Sequence, residues 1–504
     1  MNRHPDPNHV PVPFSTAEAE AFRIVAHAMT STRAAQSRWS QTPVALRLKR
    51  VRNLRHLIAD HAVPLAEASA FIRRRPVSEV LAAEVLPLAE ACRFVERHAA
   101  NLLAPKRPGK RGLPLWLAGV DVEIRREPFG VVLVIGPGNY PLLLPGVQLL
   151  QALAAGNAVL LKPGVGGTAA ARALCDLLTR AGFDPQLVAL LPESPAAARA
   201  AIIARPDKVL FTGSTATGVK VLAQLAPQLI PAVMELGGSD AVIVRHDADL
   251  NLVAKALVFG LTLNAGETCI SPRRVFVQRS LATELEGRLA QHFRHRTGID
   301  SPKLPPTATE KLLPFLVEAL ARGAHFVAGG IAPDGVIITP LILAGVSPAS
   351  LLLREDVFAP ILSIVTVADD QEALRLANDS PFALAGGIFS RDESAARALA
   401  SQLHAGVVTI NDLVLPTADA RLPFGGRKRS GFGVTRGAEG LLELTTPKVV
   451  TVSRAKFRPA YDPPRPGDQK MFEAYMNLAH GRGLKARCAA LLQLLRTIYR
   501  RQKY

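Results

Sequence analysis

The sequence predicts an α/β fold with parallel sheets, and three observations lead to that fold class. Short apolar runs such as Val131–Ile135 are typical of buried strands. They alternate with helix-length segments, for example 142–155 and 168–181, which is the pattern of a doubly wound sheet. Of the 504 residues, 48% are hydrophobic and 20% are charged, so the chain can fill large cores and is not a disordered protein.

The elements follow in order along the chain. Residues 15–103 are predicted to be helical, because positions such as Val51 and Leu54 line one helix face. A basic connector at 106–112 precedes alternating apolar and charged residues at 120–126, which predict an exposed hairpin. Two series of strands then alternate with helices. The first is predicted at 131–135, 158–161, 188–191 and 209–211, and the second at 241–244, 275–277, 361–365 and 386–389.

Composition excludes several classes of protein. The four cysteines, Cys92, Cys175, Cys269 and Cys488, have neither disulfide-scaffold nor metal-ligand spacing, so we expect no metal site and a reducing, cytoplasmic compartment. The start of the chain lacks the features of an export signal. The uncharged stretch 128–161 is long enough to cross a bilayer, but prolines and glycines interrupt it, so we assign it to the α/β core.

A candidate nucleophile lies in the segment NAGETC at 264–269. Cys269 follows a helix and precedes Arg273 and Arg274, and neighbouring positive charge is expected to lower the pKa of a thiol and to favour the thiolate. A cysteine taken alone is more often a small buried apolar residue, which is our interpretation of the other three.

A candidate general base lies in the segment MELGG at 234–238. Glu235 ends an apolar stretch and precedes two glycines, which allow close approach of the backbone to a ligand. Apolar surroundings would raise the pKa of its carboxyl towards the range that a base needs at neutral pH. A surface carboxylate before a turn is the alternative.

Two loops after predicted strands are placed to bind ligands, because loops at the carboxyl ends of parallel strands gather them. In GPGNYP at 136–141, Asn139 either donates its amide hydrogens to an oxyanion or forms an Asx turn. In FTGSTATG at 211–218, a turn leads into a helix whose N-terminus suits a pyrophosphate, although the spacing is not GxGxxG. Lys162 adds a cation after another strand.

Taken in this order, the segments resemble those of the aldehyde dehydrogenase superfamily from about residue 15 to residue 452. The resemblance implies that Cys269 is the nucleophile, that Glu235 is the general base, and that Asn139 with the Cys269 backbone N–H holds the oxyanion. The matching segments are GPGNYP at 136–141, Leu161-Lys162-Pro163, 211–218, Glu235-Leu236-Gly237-Gly238, 264–269 with Arg274, EDVFAP at 355–360, and PFGG at 423–426 with Ser430-Gly431.

The same resemblance implies NAD or NADP as the cofactor. Lys162 would contact the adenosine ribose, Asp356 would occupy the place of the carboxylate that holds the nicotinamide ribose, and Phe358 would lie near the nicotinamide. The turn expected to bind the pyrophosphate contributes Gly213, Ser214, Thr215 and Gly218.

Three positions depart from the family pattern. Val165 stands where a carboxylate commonly holds the adenosine ribose, so nothing at that position would repel the extra phosphate of NADP. Asp356 is one methylene shorter than the usual Glu. Gly138 replaces the aromatic residue that usually precedes the catalytic Asn, which we expect to widen the substrate tunnel and to favour bulky aromatic or long-chain aldehydes.

The resemblance also implies a domain organisation and a reaction. We expect a Rossmann-like cofactor-binding domain at 15–109 and 129–237, an α/β catalytic domain at 238–440, and an oligomerisation element at 110–128 and 441–452 that forms a homodimer or tetramer. The reaction would be oxidation of an aldehyde to a carboxylic acid through a cysteine thiohemiacetal and thioester. The alternatives are a CoA-acylating aldehyde dehydrogenase or acyl reductase, and a non-catalytic membrane-docking protein on the same fold.

The extension at 453–504 carries much of the charge. Residues 454–504 include 12 basic and 3 acidic residues, out of a net charge of +18 for the whole chain. We expect its apolar helical stripe to pack on the body of the protein, with a contact to an anionic membrane surface as the alternative. No nucleic-acid module accompanies the charge, so we expect no nucleic acid partner. The stripe consists of Leu484, Cys488, Leu491, Leu492, Leu495, Ile498 and Tyr499, and the cations are Arg482, Lys485, Arg487, Arg496, Arg500, Arg501 and Lys503.

Overall fold

The computed structural model of the chain describes residues 16–70, 75–114, 117–294, 302–454, 461 and 463–503. The segment discussed above as lacking an export signal therefore lies outside the described residues, as does Ser15, the first residue of the expected cofactor-binding domain. The side chains of Arg501 and Lys503 are likewise not described.

The helices and strands are numbered here in chain order. The helices are α1 (Thr16–Ser40), α2 (Val44–Asp60), α3 (Ala62–Ala70), α4 (Val77–Val80), α5 (Leu86–Leu103), α6 (Leu143–Ala155), α7 (Thr168–Arg180), α8 (Pro195–Ile203), α9 (Thr215–Leu225), α10 (Leu250–Thr262), α11 (Arg279–Phe293), α12 (Pro306–Ala321), α13 (Asp370–Asn378), α14 (Glu393–Gln402), α15 (Gly437–Leu442), α16 (Asp468–His480) and α17 (Leu484–Lys503). The strands are β1 (Val120–Pro128), β2 (Val131–Ile135), β3 (Ala158–Lys162), β4 (Val188–Leu190), β5 (Lys208–Thr212), β6 (Ala232–Glu235), β7 (Asp240–Val244), β8 (Pro272–Gln278), β9 (His325–Ile331), β10 (Ile337–Ala344), β11 (Ile361–Val367), β12 (Phe382–Ala383), β13 (Ala385–Phe389), β14 (Val407–Ile410), β15 (Arg427–Lys428), β16 (Gly431–Phe432) and β17 (Thr445–Ser453).

The described chain divides into two compact units. One lies within Met1–Pro105 and Arg125–Lys448, and the other within Lys106–Ile124 and Val449–Tyr504. The larger unit contains both large sheets and all the residues that the sequence suggests for chemistry. The expected helical lead-in is confirmed by α1 to α5, whose apolar faces are buried at Val51, for example.

The first large sheet has the order β16-β6-β5-β2-β3-β4. Its strands are parallel except β16, which pairs antiparallel with β6. Helices α6 and α7 follow β2 and β3, and the chain then crosses to the other side of β2 to form β5. The strand order therefore reverses beside β2, and the carboxyl ends of β2 and β5 form the crevice in which such sheets bind ligands.

The second large sheet has the order β14-β13-β7-β8-β11-β10-β9 and is parallel except for the edge strand β9. Apolar clusters cover both faces, because helices pack on each side. The predicted α/β class is confirmed by these two sheets. The sequence analysis did not identify β6, β9, β10 or β14 as strands.

The smaller unit contains two helices that pack as a hairpin, α16 and α17, with Met471, Ala474 and Ala490 buried. The predicted hairpin at 120–126 is wrong: β1 is one strand without a turn, and it pairs with the distant β17. Among the described helices, none has both the length and the apolar character needed to cross a membrane.

Candidate active site

Cys269 lies in a tight turn between α10 and β8. Asn264 and Ala265 adopt left-handed backbone angles, with φ of 51° and 52°. The Asn264 side chain donates to the carbonyl of Asn139 at 3.0 Å and to that of Glu267 at 3.2 Å, which holds the turn against the loop after β2. A Cβ on Gly266 would lie 2.5 Å from Pro360, so only glycine fits there. The turn thereby fixes the position of the thiol.

The electrostatic surroundings of Cys269 differ from the sequence expectation. Burial, reinforced by the charges of Glu235 and Asp240, raises the pKa of the Cys269 thiol to about 12, and the charge of Arg436 opposes the increase. The expected decrease of the pKa by Arg273 and Arg274 is therefore wrong. Both guanidinium groups bind backbone carbonyls instead: Arg273 donates to Gly266 at 2.6 Å, and Arg274 donates to Ser239 at 2.8 Å.

Asn139 follows β2 and is buried beside the same turn. Its side-chain nitrogen donates to the carbonyl of Glu267 at 2.9 Å. An Asn amide has two N–H groups, so this bond orients the amide and leaves the second N–H for a ligand. The arrangement is that of an oriented donor rather than an Asx turn.

Glu235 is the last residue of β6 and is buried. Three donors hold its carboxylate: the hydroxyl of Thr212 at 2.9 Å, the amide of Gln148 at 3.3 Å, and the hydroxyl of Thr435. Thr212 is its neighbour across the parallel pair of β5 and β6. Buried carboxylates need such partners, and the donors also fix the direction in which the group points. The surface-turn alternative for Glu235 does not hold.

Arg436 is a site residue that the sequence analysis missed. Its backbone has φ of 62° and ψ of 173°, a combination that is readily adopted by glycine alone. The guanidinium donates to the carbonyl of Thr417 at 2.6 Å and lies over the ring of Phe424, 4.7 Å from the centroid. Burial lowers its pKa, and the charges of Glu235 and Cys269 oppose that decrease. The PFGG segment at 423–426 is the nearest motif in the sequence, ten residues before Arg436.

Two cavities meet at Cys269. The first has a volume of about 300 Å³ and brings together seven of the ten candidate residues, namely Asn139, Gly213, Ser214, Glu235, Cys269, Asp356 and Phe358. The second has a volume of about 450 Å³. Leu144, Cys269 and Phe424 line both, so the thiol stands at their boundary. Gly138 lines the first cavity rather than the second, so it does not widen the second.

The first cavity fits the nicotinamide end of a dinucleotide. Asp356 contributes a carboxylate oxygen that is buried without a hydrogen-bond partner, as a ribose hydroxyl would require. Its other oxygen would lie 1.9 Å from a Cβ on Gly237, so only glycine leaves room for it. Gly213 and Ser214 line the cavity at the N-terminus of α9, where Ser214 caps the helix by accepting from the N–H of Thr217 at 3.3 Å.

The remaining cofactor candidates lie outside both cavities. Thr215 is buried and donates to the carbonyl of Arg429 at 3.1 Å, and a Cβ on Gly218 would lie 2.6 Å from Leu236. Both residues therefore shape the turn by packing. Lys162 ends β3, and burial lowers its pKa, while the carboxylate of Glu193 opposes that decrease.

Glu193 is a second residue that the sequence analysis missed. Its carboxylate accepts from the N–H of Gly166 at 3.0 Å and from the hydroxyl of Thr168 at 2.9 Å. Val165, in contrast, is 76% exposed. A carboxylate therefore does lie close to Lys162, although it comes from the loop after β4.

Comparison with known proteins gives a family match over most of the chain. A model described as the aldehyde dehydrogenase family matches residues 5–450. The chain is 32% identical over 466 residues to 4,4'-diapolycopene aldehyde oxidase from Methylomonas sp, covering 91% of this chain and 87% of the relative. It is 34% identical over 459 residues to a putative NADP(+) succinate-semialdehyde dehydrogenase of Mycolicibacterium smegmatis, covering 88% and 86%.

Solved structures give the same result. A betaine aldehyde dehydrogenase from Staphylococcus aureus, crystallised with NAD+, superposes with a TM-score of 0.78 at 26% identity, covering 86% of this chain and 88% of that one. The NAD+ complex of an aldehyde dehydrogenase from Bacillus cereus superposes with a TM-score of 0.79 at 27% identity, covering 86% and 89%.

Proposed function

The chain belongs to the aldehyde dehydrogenase family and is an aldehyde-oxidising enzyme that uses NAD or NADP, and on that premise we propose that it forms carboxylic acids through an acyl intermediate on Cys269. The position of Cys269 carries the proposal. The thiol lies between a cavity that fits the cofactor and a second cavity open to an aldehyde, with Glu235 and Asn139 in the wall of the first.

The chemistry begins with ionisation of the thiol. Burial raises the pKa of Cys269, so the thiolate is a minor form, and Arg436 is the cation that favours it. The thiolate adds to the carbonyl carbon, the carbonyl electrons move to oxygen, and the second N–H of Asn139 stabilises the resulting oxyanion. Bound cofactor supplies the acceptor for the hydride that leaves the thiohemiacetal carbon.

Hydrolysis then releases the product. Water attacks the thioester carbon while Glu235 accepts a proton from the water. The C–S bond breaks as the carboxylic acid forms, and the sulfur takes the proton that Glu235 accepted, which restores the carboxylate. A CoA-acylating enzyme or acyl reductase would transfer the acyl group to or from a thiol without this base. The three hydrogen-bond donors that position Glu235 support hydrolysis over that alternative.

A pair of cysteine variants tests the nucleophile. Cys269→Ala should abolish the increase in nicotinamide absorbance with every aldehyde of a panel, in the presence of NAD or NADP. Cys175→Ala is the matched control, because burial raises the pKa of that thiol to about 12 as well, yet Cys175 lines neither cavity. Wild-type turnover by Cys269→Ala would remove Cys269 from the mechanism.

We also propose a homo-oligomer that assembles through the small sheet. In this sheet β1 pairs with β17, a single bridge joins Ile124 of β1 to Lys106, and Val449 on β17 is exposed. A two-stranded sheet with free edges is suited to strand addition by a second copy. The division into the domains predicted above remains part of this proposal. Light scattering at micromolar concentration should give a dimer or tetramer mass, and a monomer mass would contradict it.

A peripheral membrane contact through α17 is a further part of the proposal. The stripe along this helix is exposed, with Leu492 at 58% and Leu495 at 55%, and Arg496 and Arg500 lie on the same helix. Apolar side chains beside cations are typical of helices that lie on anionic bilayers, where each cation adds about 1 kcal/mol.

Sedimentation with anionic liposomes tests this contact. The full chain should sediment at low salt, and the double variant Leu492→Glu/Leu495→Glu should stay in the supernatant. Leu46→Glu, an exposed leucine of α2, is the control and should sediment. Sedimentation of all three proteins would indicate attraction by charge alone, and sedimentation of none would exclude the contact.

We place the enzyme in the cytoplasm. All four cysteines are free, and Cys488 is exposed. Thiols of this kind persist in a reducing compartment. Detection of the protein in an oxidising compartment by cell fractionation would contradict this assignment.

A further inference from the structure

We propose that the second cavity selects uncharged, apolar aldehydes with a long or bulky hydrocarbon chain, a substrate class that rests on the aldehyde oxidation proposed above. Two cavities reach Cys269, and the first holds the orphaned oxygen of Asp356 and the turn before α9. Cofactor in the first cavity leaves the second as the route for the aldehyde. Its size and its wall define what can enter.

The size of the second cavity favours large substrates. Its volume is about 450 Å³. At about 30 Å³ for a group the size of water, this space accommodates roughly 15 non-hydrogen atoms. Acetaldehyde would fill a small part of it and would leave most of the apolar wall in contact with water. A chain of about ten carbons would cover that wall.

The wall of the cavity is mainly apolar. Five parts of the chain contribute to it: the segment before α5 with the start of that helix, the start of α6 with Tyr140 before it, the end of α10 with the turn that follows, the loop after β14, and Arg436 before α15. Burying a hydrocarbon against such a wall is favourable in proportion to the area removed from water. The apolar lining residues are Pro76, Ala82, Ala83, Pro87, Leu143, Leu144, Phe259, Leu263, Ile270, Val414, Leu415, Ala418 and Phe424.

Each of the two charged side chains in the wall has protein partners. Glu79 accepts at one oxygen from Arg75 at 3.0 Å and from the N–H of Asn264 at 3.2 Å. Arg436 donates to the carbonyl of Thr417 and lies over Phe424. A substrate carboxylate would have to compete with the partners of Arg436, and a substrate ammonium at the second oxygen of Glu79 would still lose its own water, which is costly for a charged group.

Threonine hydroxyls in the wall are engaged in the same way. Thr268 lies 2.6 Å from the hydroxyl of Tyr140, and Thr417 donates to the carbonyl of Val414 at 2.5 Å. The cavity therefore recognises its ligand by shape and apolar area rather than by an ion pair. The rival substrate is an amino aldehyde whose ammonium binds the second oxygen of Glu79.

A series of aldehydes tests the substrate class. We expect kcat/KM to rise about threefold to fourfold per added methylene from propanal to decanal, the factor for burial of one methylene. Succinate semialdehyde and 4-aminobutanal should fall below the linear aldehydes of equal length by about 100-fold. A flat response to chain length, or the highest value for either charged aldehyde, would overturn the proposal.

Filling the cavity supplies a second test. Ala83→Phe places a ring in the cavity and should lower kcat/KM for decanal at least tenfold more than for propanal. Ala100→Phe, at an exposed alanine of α5 outside both cavities, is the matched control and should leave this ratio unchanged. An unchanged ratio in Ala83→Phe would assign the aldehyde to another route.

The two proposals fail in different ways. Turnover of all aldehydes without a chain-length preference would reject the substrate class and leave the oxidation intact. Reduction of neither NAD nor NADP by any aldehyde in the series would reject the oxidation itself.

Discussion

Replacing Glu235 by Gln isolates the hydrolytic half of the reaction, because the site can accept the amide. The Glu235 carboxylate is held by Thr212, Gln148 and Thr435. Both threonine hydroxyls can rotate to donate or accept. The Oε1 atom of Gln148 is buried without a partner, so this amide can turn over and accept from the new NH₂ group. The new amide thus keeps hydrogen-bond partners, and the variant should fold.

The magnitude follows from what is lost. A positioned general base contributes typically about 10²- to 10⁴-fold, so thioester hydrolysis in Glu235→Gln should slow by at least about 100-fold. Thiol addition responds in the opposite sense. The charge of Glu235 raises the pKa of Cys269, so its removal makes the thiolate easier to form. Hydride transfer should therefore keep its rate or become faster.

Rapid mixing with absorbance detection of reduced cofactor separates the two steps. Glu235→Gln should give a burst approaching one reduced cofactor per active site, followed by a steady state at least about 100-fold below wild type. Glu439→Gln, at an exposed carboxylate of α15, is the control and should match wild type. A steady-state rate equal to that of wild type would remove Glu235 from the role of base. A burst rate that falls by the same factor as the steady-state rate would do so too.

Three more changes have definite outcomes. Arg436→Met removes the cation that opposes the raised pKa of Cys269, so alkylation of Cys269 by iodoacetamide at mildly alkaline pH should slow by about tenfold. Arg436→Lys should restore the wild-type alkylation rate, and equal rates in wild type and Arg436→Met would refute the role of Arg436. Glu193→Gln removes a carboxylate near Lys162 and should raise the ratio of kcat/KM with NADP to kcat/KM with NAD several-fold. An unchanged ratio would leave Val165 as the determinant of cofactor choice. Burial raises the pKa of Asp240 to about 8 from 3.8, so ionisation of this carboxyl lowers the stability of the folded protein as pH rises through that range. Asp240→Asn should therefore raise Tm above that of wild type at pH 8 and higher but not at pH 4, and a Tm difference that does not change with pH would contradict the prediction.

The fold could be predicted where strands are buried on both faces. The predicted strand at 131–135 coincides with β2, because a strand covered by helices on each side is a continuous apolar run. The missed pair β9 and β10 lies at a sheet edge. The apolar pattern of these two strands is interrupted by Gly329, Gly330 and Pro340. Half-buried strands such as β9 also carry mixed side chains, so no periodicity in the sequence indicates the pair.

The site could be predicted where its residues lie in local motifs. Cys269, Asn139 and Glu235 each lie in a short turn sequence that is visible without the fold. Thr435 cannot be found this way, since it is 200 positions from Glu235 in the chain. The short strand β16 brings it there by pairing Gly431 with Glu235, and a Cβ on Gly431 would lie 1.9 Å from a backbone oxygen of β6.

Two opposing demands on Cys269 explain why Thr435 and Arg436 are adjacent. A carboxylate close to the sulfur serves hydrolysis, but its charge raises the pKa of the thiol and so opposes addition. The site needs a donor on Glu235 and a cation near Cys269 at the same time. The unusual backbone of Arg436, which costs on the order of 1–3 kcal/mol, lets two consecutive residues supply both. The strained backbone at Arg436 therefore allows one site to support both thiol addition and thioester hydrolysis. Arg436→Gly should relieve the backbone strain and should also lower the rate of thiol addition to the aldehyde.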